Sequence, residues 1–430
     1  MMIVRILFVC HFLLALSGAA GEPQNELEPV KPELLRPRNG LGNIYAKLND
    51  GKEVRIAYFG GSITAANGWR VKTLKWFQTT YPKAKASEII AAIGGTGSDL
   101  GAFRCRQDVL QYKPDLVCVE FAVNDGGAPP QQIYRTMEGI VRQIWTADPA
   151  TDICFVYTLH TSMKLDYEKE RCPRSATAQE RIADYYGIPS INVAMRIVQM
   201  AGEGKLVYKK EKDASGADKP VPDGVMLFSN DECHPTDPAH QVYCDVIVDG
   251  FKKMEATSKP GPHELKAPFV ADNWENARLV PIKQEMLTGG WKKLDPQTGM
   301  GKGFQKYLPE IWEAKTPGDK LTFAFKGTAV KLYDIVGPDG GQAVCTLDGK
   351  ASPPRPRFDM YCSYHRLASL SVAEGLANAV HTVTVEVHPE QPNRDSVLKV
   401  EKNKPGFKPE KYNGTVLRVG AIMLLGDLQE

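Results

Sequence analysis

The sequence lacks an excess of charge of either sign. Its 430 residues include 53 Lys and Arg against 51 Asp and Glu, for a formal net charge of +2. No run concentrates the basic residues, so we expect no nucleic-acid partner. With 43% hydrophobic and 24% charged residues, the composition is that of an ordinary globular protein and excludes a disordered or collagen-like chain.

Cysteine is also scarce, and the nine cysteines include no Cys-x-x-Cys pair. A structural zinc site is therefore not expected. Without Cys10, which lies in an N-terminal apolar run, eight remain, and an even number in an exported chain allows disulfides. We predict one between Cys345 and Cys362, the only pair in the C-terminal third. Cys118 and Cys154 lie within apolar runs that are typical of buried thiols.

Long apolar runs are missing except at the N-terminus. Arg5 is followed by an apolar run over residues 6–16 and by small residues up to Gly21, which is the pattern of a secretory signal peptide. The run is too short to span a bilayer. We therefore predict a cleaved signal peptide over 1–21, a secreted or periplasmic location and no membrane insertion. Residues 22–45, rich in Pro, Glu and Leu, are predicted to form an extended leader.

Between residues 46 and 256, apolar runs alternate with helical periodicity. Runs that are apolar at nearly every position suit strands buried on both faces of a parallel sheet. These runs are 54–60, 88–94, 116–123, 153–159 and 188–193. The clearest helical stripe contains Ile133, Met137 and Ile140, and another helix is expected after Pro238. This alternation predicts a three-layer α/β/α sandwich with a parallel sheet.

The pattern changes after a Pro- and Gly-bearing linker predicted at 257–268. Residues 269–430 contain short alternating strands without helices between them, which indicates a smaller all-β sandwich. The strand candidates are 320–327, 330–337, 343–349 and 381–389. Within the first domain, the polar segment 203–224 is either a surface loop or a lid beside an active site.

Chemistry-bearing residues follow several predicted strands. Ser62, in Gly60-Gly61-Ser62, comes after the first strand, at the sheet edge where open α/β folds bind ligands. Gly94-Gly95-Thr96-Gly97 follows the second, where glycines let backbone N–H groups approach a ligand. This run lacks the dinucleotide-binding GxGxxG spacing. Each of the two motifs alone also suits a tight structural turn.

Two further motifs complete the set. Asn124 follows the third strand and can donate its side-chain N–H to an oxyanion, although a turn or helix cap is the ordinary role of Asn-Asp-Gly. Asp231 precedes His234 by three residues, so that its carboxylate can orient the imidazole and leave the other ring nitrogen as a base.

This ordered set resembles the GDSL-like, SGNH-type hydrolase family over about residues 50–255. The resemblance implies that Ser62 is the nucleophile, that His234 is the general base and that Asp231 orients it. The backbone N–H groups of Ser62 and Gly95, with the Asn124 side chain, would form the oxyanion hole. Gly94 and Gly97 remain competitors of Gly95. Where the family usually has Asp before the serine, this chain has Gly61. No metal or organic cofactor is implied.

The Gly-Gly-Ser opening, the signal peptide and the sandwich are similar to the carbohydrate-esterase branch, and the C-terminal domain resembles the jelly-roll modules of carbohydrate-active enzymes. We therefore predict a secreted serine esterase that removes acyl groups, with acetyl as the expected one, from a carbohydrate. The near-neutral charge favours a neutral glycan ester. A lipid or small-molecule esterase and a non-catalytic carbohydrate-binding protein are the alternatives. The sequence does not indicate the oligomeric state.

Other polar and aromatic residues are weighed against structural roles. His160 follows the fourth strand and is either a pocket residue or a strand-end structural histidine. Trp69 is either a sugar-stacking residue or part of the core. Three more residues near predicted strand edges are either substrate contacts or members of ion pairs and helix caps: Arg104, Glu120 and Asp125.

Overall fold

A computed structural model describes residues 27–429 of the chain. The predicted signal peptide over 1–21 lies outside these residues. Within them, no helix is long and apolar enough to cross a membrane.

The chain folds into an N-terminal α/β domain and a C-terminal β domain. The strands of the first domain are β1 (Leu35–Arg36), β2 (Glu53–Gly60), β3 (Lys85–Ala92), β4 (Leu116–Glu120), β5 (Asp152–Tyr157), β6 (Ser190–Asn192), β7 (Leu206–Val207) and β8 (Met226–Leu227). Its helices are α1 (Gly42–Asn49), α2 (Ser62–Ala65), α3 (Trp69–Thr80), α4 (Ser98–Asp108), α5 (Pro130–Ala147), α6 (Lys164–Glu168), α7 (Arg174–Tyr186), α8 (Val193–Gly202) and α9 (Asp237–Glu255).

The second domain consists mainly of strands. They are β9 (Ala277–Pro281), β10 (Leu287–Thr288), β11 (Lys292–Lys293), β12 (Trp312–Ala314), β13 (Lys320–Val336), β14 (Gln342–Leu347), β15 (Lys350–Ala351), β16 (Arg355–Pro356), β17 (Arg366–Ala373), β18 (Ala379–Val387) and β19 (Leu417–Gln429). Two short helices lie between them, α10 (Gly299–Phe304) and α11 (Asp395–Glu401).

The sheet of the first domain has the strand order β1-β6-β5-β4-β2-β3. All pairs are parallel except β1 with β6, so the sheet is mixed at one edge. Alternate residues point to opposite faces: Phe59 packs with α4, α5 and α7, whereas Tyr58 packs with α3 and α9. The predicted three-layer sandwich is confirmed. Its parallel strands bring their carboxyl ends, and the motifs that follow them, to one edge.

The antiparallel edge strand comes from the predicted leader over 22–45. From residue 27 this segment is largely irregular, but Leu35 pairs with Ile191, and the first helix begins at Gly42, before the predicted domain start at residue 46. Arg38 fixes the segment through Glu180 at 2.6 Å and Asp184 at 2.7 Å. The leader is therefore anchored along the first domain.

The C-terminal domain is an antiparallel β-sandwich, as predicted, but its longest strand differs from the expectation. The predicted strands 320–327 and 330–337 form one strand, β13, that pairs with β18 over its first half and with β17 over its second. A register shift against β19 between Gly327 and Ala329 marks a β-bulge where the sequence suggests a turn. Through this bulge β13 continues unbroken over 17 residues.

One hydrophobic cluster extends from the first domain into the sandwich, which also has a core of its own. Trp274, which follows the predicted linker, packs on Phe103 of α4 with ring centroids 5.3 Å apart. Tyr333 and Met423 of the sandwich belong to the same buried cluster. The linker itself is fixed, because His263 stacks on Trp145 at 4.8 Å. The sandwich thus packs directly against the first domain.

The predicted disulfide between Cys345 and Cys362 is wrong. Both thiols are free and buried. Cys345 lies in the core of the sandwich, whereas Cys362 belongs to a separate small cluster with Phe358 and Tyr412. That both cysteines lie in the C-terminal third of the sequence did not indicate that they are close in space. The eight cysteines of the described residues are all free.

Candidate active site

Ser62 lies on the turn that follows β2. The strand ends at Gly60, and Ser62 begins the four-residue helix α2. Gly61, between them, has no room for a side chain, because a Cβ atom there would lie 2.0 Å from Asn124 Oδ1. The glycine that replaces the usual aspartate before the serine therefore has a steric reason in this chain.

The structure brings Ser62, His234 and Asp231 into one hydrogen-bonded chain. Ser62 Oγ lies 2.7 Å from His234 Nε2. The other ring nitrogen, Nδ1, lies 2.6 Å from Asp231 Oδ2. The serine and the histidine are 172 residues apart in the sequence, and the fold joins them at the carboxyl edge of the sheet. This arrangement can remove a proton from the serine and stabilise the imidazolium that results.

Asp231 is held as an acceptor by its own turn. Its Oδ1 accepts the backbone N–H groups of Cys233 at 3.1 Å and His234 at 2.8 Å, and it lies 2.9 Å from Ser229 Oγ. Glu232 adopts a left-handed φ of 71°, so the turn is tight. Partial burial acts in the opposite direction, but these hydrogen bonds and the one from the His234 ring hold the pKa of Asp231 well below its usual range.

The glycine loop after β3 lies beside Ser62. A Cβ atom on Gly94 would be 3.5 Å from Ser62 Cβ. Gly95 is exposed, adopts a φ of +73°, and has no protein hydrogen-bond acceptor for its N–H group among the loop contacts of residues 27–429. Gly97 packs on Asp125 instead, since a Cβ atom there would lie 2.5 Å from Asp125 Oδ1. Of the three glycines, Gly95 best suits an oxyanion donor.

Asn124 and the glycine loop are joined by a buried carboxylate. Asn124 begins a short turn after β4, and its amide lies against Gly61. The next residue, Asp125, accepts the N–H group of Ser98 at 2.8 Å and the side-chain amide of Gln179 at 3.0 Å. Burial raises the pKa of Asp125 to about 7, although these hydrogen bonds act against it. Asp125 therefore fixes the two candidate oxyanion loops to each other.

The family of this domain follows from a comparison with known proteins. Residues 58–242 match the GDSL-like Lipase/Acylhydrolase family, and the matched segment contains every candidate site residue named above. The N-terminal domain carries this family match. The match supports a hydrolase of carboxylic esters.

Two solved structures of a two-domain esterase (CEX) active on acetylated mannans are similar to this chain. The one co-crystallised with mannopentaose has 20% sequence identity and a TM-score of 0.68, over 90% of this chain and 94% of that chain. The other also has 20% identity and a TM-score of 0.68, over 92% and 98%. At this identity the similarity shows the fold, a GDSL-like domain followed by a β-domain. No curated protein sequence matches the chain.

The remaining candidates of the GDSL-like domain divide between core and surface. Trp69, the first residue of α3, is fully buried, so the sugar-stacking alternative is wrong. Arg104 is also buried and donates to the carbonyl of Gly60 at 3.1 Å, while it pairs with Asp108 at 2.8 Å. Glu120, at the end of β4, is fully buried. None of these three side chains is accessible to a substrate.

Two open cavities flank the candidate site. One, of about 530 Å³, is lined by His160 together with Val123 and Gly126, which lie on either side of Asn124. The other, of about 360 Å³, lies between the domains; Gly95 lines it on one side and Arg357 of the sandwich on the other. The pocket alternative for His160 thus agrees with the structure. The sequence leaves the role of the sandwich open between binding glycan, bordering the active site and stabilising the first domain; in the structure the sandwich lines a cavity beside the site.

The polar segment 203–224 begins and ends near the turn that contains Asp231 and His234. Its flanks form the parallel pair β7 and β8, and its central part is exposed. Lys209 forms an ion pair with Glu232 at 2.9 Å, next to Asp231. The segment is therefore a surface loop in contact with the candidate site, and its action as a lid stays a prediction. Within residues 27–429, no group of three or more potential metal ligands occurs.

Proposed function

We propose that the chain is an exported serine esterase that removes acyl groups, with acetyl as the expected group, from a carbohydrate. The observation that carries the proposal is the Ser62–His234–Asp231 chain, with contacts of 2.7 and 2.6 Å. Export is proposed on the N-terminal sequence pattern alone.

In the proposed mechanism, Ser62 Oγ attacks the ester carbonyl while His234 Nε2 takes its proton. The negative charge that develops on the carbonyl oxygen is stabilised by the N–H groups of Ser62 and Gly95 and by the Asn124 amide. His234 then protonates the sugar oxygen as its bond to the acyl carbon breaks, so that the sugar leaves with a free hydroxyl group and an acyl ester remains on Ser62. Water, activated by the same imidazole, attacks this ester, releases the carboxylic acid and restores the serine. Asp231 keeps Nδ1 protonated throughout.

A carbohydrate substrate is supported by the openness of the site. The side chains of His234 and Asp231 are 46% and 56% exposed, so a polymer can reach the triad without entering a tunnel. The two flanking cavities carry polar and charged groups, among them His160 and Arg174 in one and Arg357 and Asp359 in the other. Hydroxyl-rich ligands suit such linings, whereas a long acyl chain needs an apolar one. The similar two-domain esterase is active on acetylated mannans.

The test compares acyl-chain length and carrier in one series of assays. We expect hydrolysis of p-nitrophenyl acetate, much slower hydrolysis of the octanoate and release of acetate from an acetylated mannan, all abolished in Ser62→Ala. Preference for the octanoate would instead indicate a lipid esterase. Binding of the glycan without any hydrolysis would indicate a non-catalytic protein. Activity that survives Ser62→Ala would contradict the mechanism.

A further inference from the structure

A buried carboxylate lies beneath the nucleophile and has no role in the mechanism above. Glu120 is the last residue of β4 and is fully buried. No Lys, Arg or His forms an ion pair with it anywhere in residues 27–429. Removing a carboxylate from water without a counter-ion is costly, so its retention needs a compensating interaction.

Three hydrogen-bond donors face this carboxylate, and two of them flank Ser62. Oε2 accepts the hydroxyl of Thr64 at 2.7 Å. The backbone N–H group of Gly61 faces the same carboxylate. Ser62 lies between these two residues in the chain. Glu120 therefore holds the segment on both sides of the nucleophile, which has only the four residues of α2 to support it.

The third donor connects Glu120 to the opposite side of the site. Oε1 accepts the hydroxyl of Thr158 at 2.8 Å, directly after β5. Three residues later, the N–H group of Thr161 donates to the carbonyl of Glu232 at 2.9 Å. Glu232 lies between Asp231 and His234. One carboxylate thus contacts both the Ser62 turn and the strand end that supports the His234 turn.

We infer that Glu120 is a positioning residue of the esterase, which in its ionised form sets the distance between Ser62 and His234. The inference rests on the proposed role of Ser62 as the nucleophile. It follows from the donors present, because an ionised carboxylate accepts the hydroxyls of Thr64 and Thr158 and faces the N–H group of Gly61, whereas a protonated one brings a further hydrogen into the same space. The geometry of a nucleophile is sensitive to such changes, since a misplacement of about 1 Å can cost about 100-fold in rate.

The charges around Glu120 make its protonation relevant to function. Burial raises the pKa of Glu120 to about 7, against the hydrogen bonds from Thr64 and Thr158. The neighbouring titratable groups are Asp125, Cys233 and Tyr243. Two buried arginines bind nearby carbonyls rather than the carboxylate: Arg70 that of Thr64 and Arg104 that of Gly60.

The test is Glu120→Gln, with Glu138→Gln as the matched control. Glu138 is also fully buried and accepts the N–H groups of Phe269 and Val270 and the hydroxyl of Tyr186, but it contacts no part of the triad. We expect Glu120→Gln to lower kcat for p-nitrophenyl acetate by about 10- to 100-fold with little change in KM. The control variant should keep its kcat per folded molecule.

The pH profile separates positioning from general loss of structure. In the wild type, the acid side of the profile should include the protonation of Glu120, and this step should be absent in Glu120→Gln. The rate at which a fluorophosphonate labels Ser62 should fall in parallel with kcat. Equal labelling rates and equal profiles in wild type and Glu120→Gln would overturn the inference.

If Glu120→Gln does not fold, a second pair of variants tests the positioning role of Glu120. Thr64→Val removes one donor to Glu120, and Thr64→Ser retains the hydroxyl. We expect the valine variant to lower kcat and the serine variant to retain most of it; equal kcat values would contradict the inference. Failure of the proposed function has a different signature, because either wild-type Ser62 would resist the fluorophosphonate or Ser62→Ala would stay active.

Discussion

The Asp231→Asn variant tests how the histidine is made a base. In the structure, Asp231 Oδ2 accepts the Nδ1 proton of His234, so that Nε2 is free to take the proton of Ser62. An asparagine can keep Oδ1 as acceptor for the N–H groups of Cys233 and His234. Its NH₂ group would then face Nδ1 as a donor. The imidazole is thereby driven to the tautomer that carries its proton on Nε2, which cannot accept one from Ser62.

The expected loss follows from this change of tautomer. The same substitution in a Ser-His-Asp triad lowers turnover by about 10⁴, or about 5.5 kcal/mol in activation free energy. Because the Asp231 side chain is 56% exposed, water can replace part of the lost interaction. We therefore expect a loss of about 10³ to 10⁴ in kcat, with an unchanged fold because the backbone contacts of Oδ1 remain.

The assay is the kcat for p-nitrophenyl acetate, with the melting temperature measured on the same samples. The chain offers a matched control, since Asp348 lies 2.7 Å from His381 Nδ1 and accepts a backbone N–H group in the sandwich domain. Asp348→Asn should leave kcat unchanged. If Asp231→Asn loses less than about tenfold while it stays folded, orientation of His234 by Asp231 is not what activates Ser62.

Three further predictions concern the oxyanion hole, the buried carboxylates and the domain interface. Asn124→Ala should lower kcat by about 10²- to 10³-fold with little change in KM, measured on p-nitrophenyl acetate; an effect on KM alone would contradict its role as an oxyanion donor. The folded-state pKa of Glu120, about 7, lies above its ordinary value of 4.5, so the native state takes up a proton between these pH values and loses stability as pH rises through them. As pH rises, the free energy of unfolding of Glu120→Gln should therefore increase relative to that of the wild type. Denaturant titrations that give the same difference between the two proteins at every pH would refute this. Trp274→Ala should lower the free energy of unfolding by about 3–5 kcal/mol, because Trp274 packs in the cluster to which both domains contribute. We expect calorimetry to show one transition for both domains, at a lower temperature than in the wild type; separate transitions would show that this cluster does not couple their unfolding.

The sequence allows the edge of the sheet, and the residues on it, to be predicted well. Buried parallel strands read as continuous apolar runs, and parallel strands end at one edge. The motifs after β2, β3 and β4 were therefore expected to meet, and the structure brings Ser62, Gly94 and Asn124 together. His234 joins them at 2.7 Å from Ser62. Their catalytic roles stay predictions.

Interactions that depend on the distance between residues in space could not be predicted from the sequence. Cys345 and Cys362 are neighbours in a list of cysteines, but they belong to different hydrophobic clusters. Leu35–Arg36 is too short for its pairing with β6 to leave a periodic pattern. Glu120 looks like any polar strand-end residue until Thr64 and Thr158 are seen on either side of it.

Trapping the acyl-enzyme would show whether Ser62 is the nucleophile. The protein is mixed with p-nitrophenyl acetate, quenched in acid during turnover, digested and analysed by peptide mass spectrometry. We expect an acetyl ester on Ser62 that is absent in Ser62→Ala and that disappears on further incubation before the quench. Continued hydrolysis with no acetyl group on Ser62, or with the acetyl group on another residue, would contradict it.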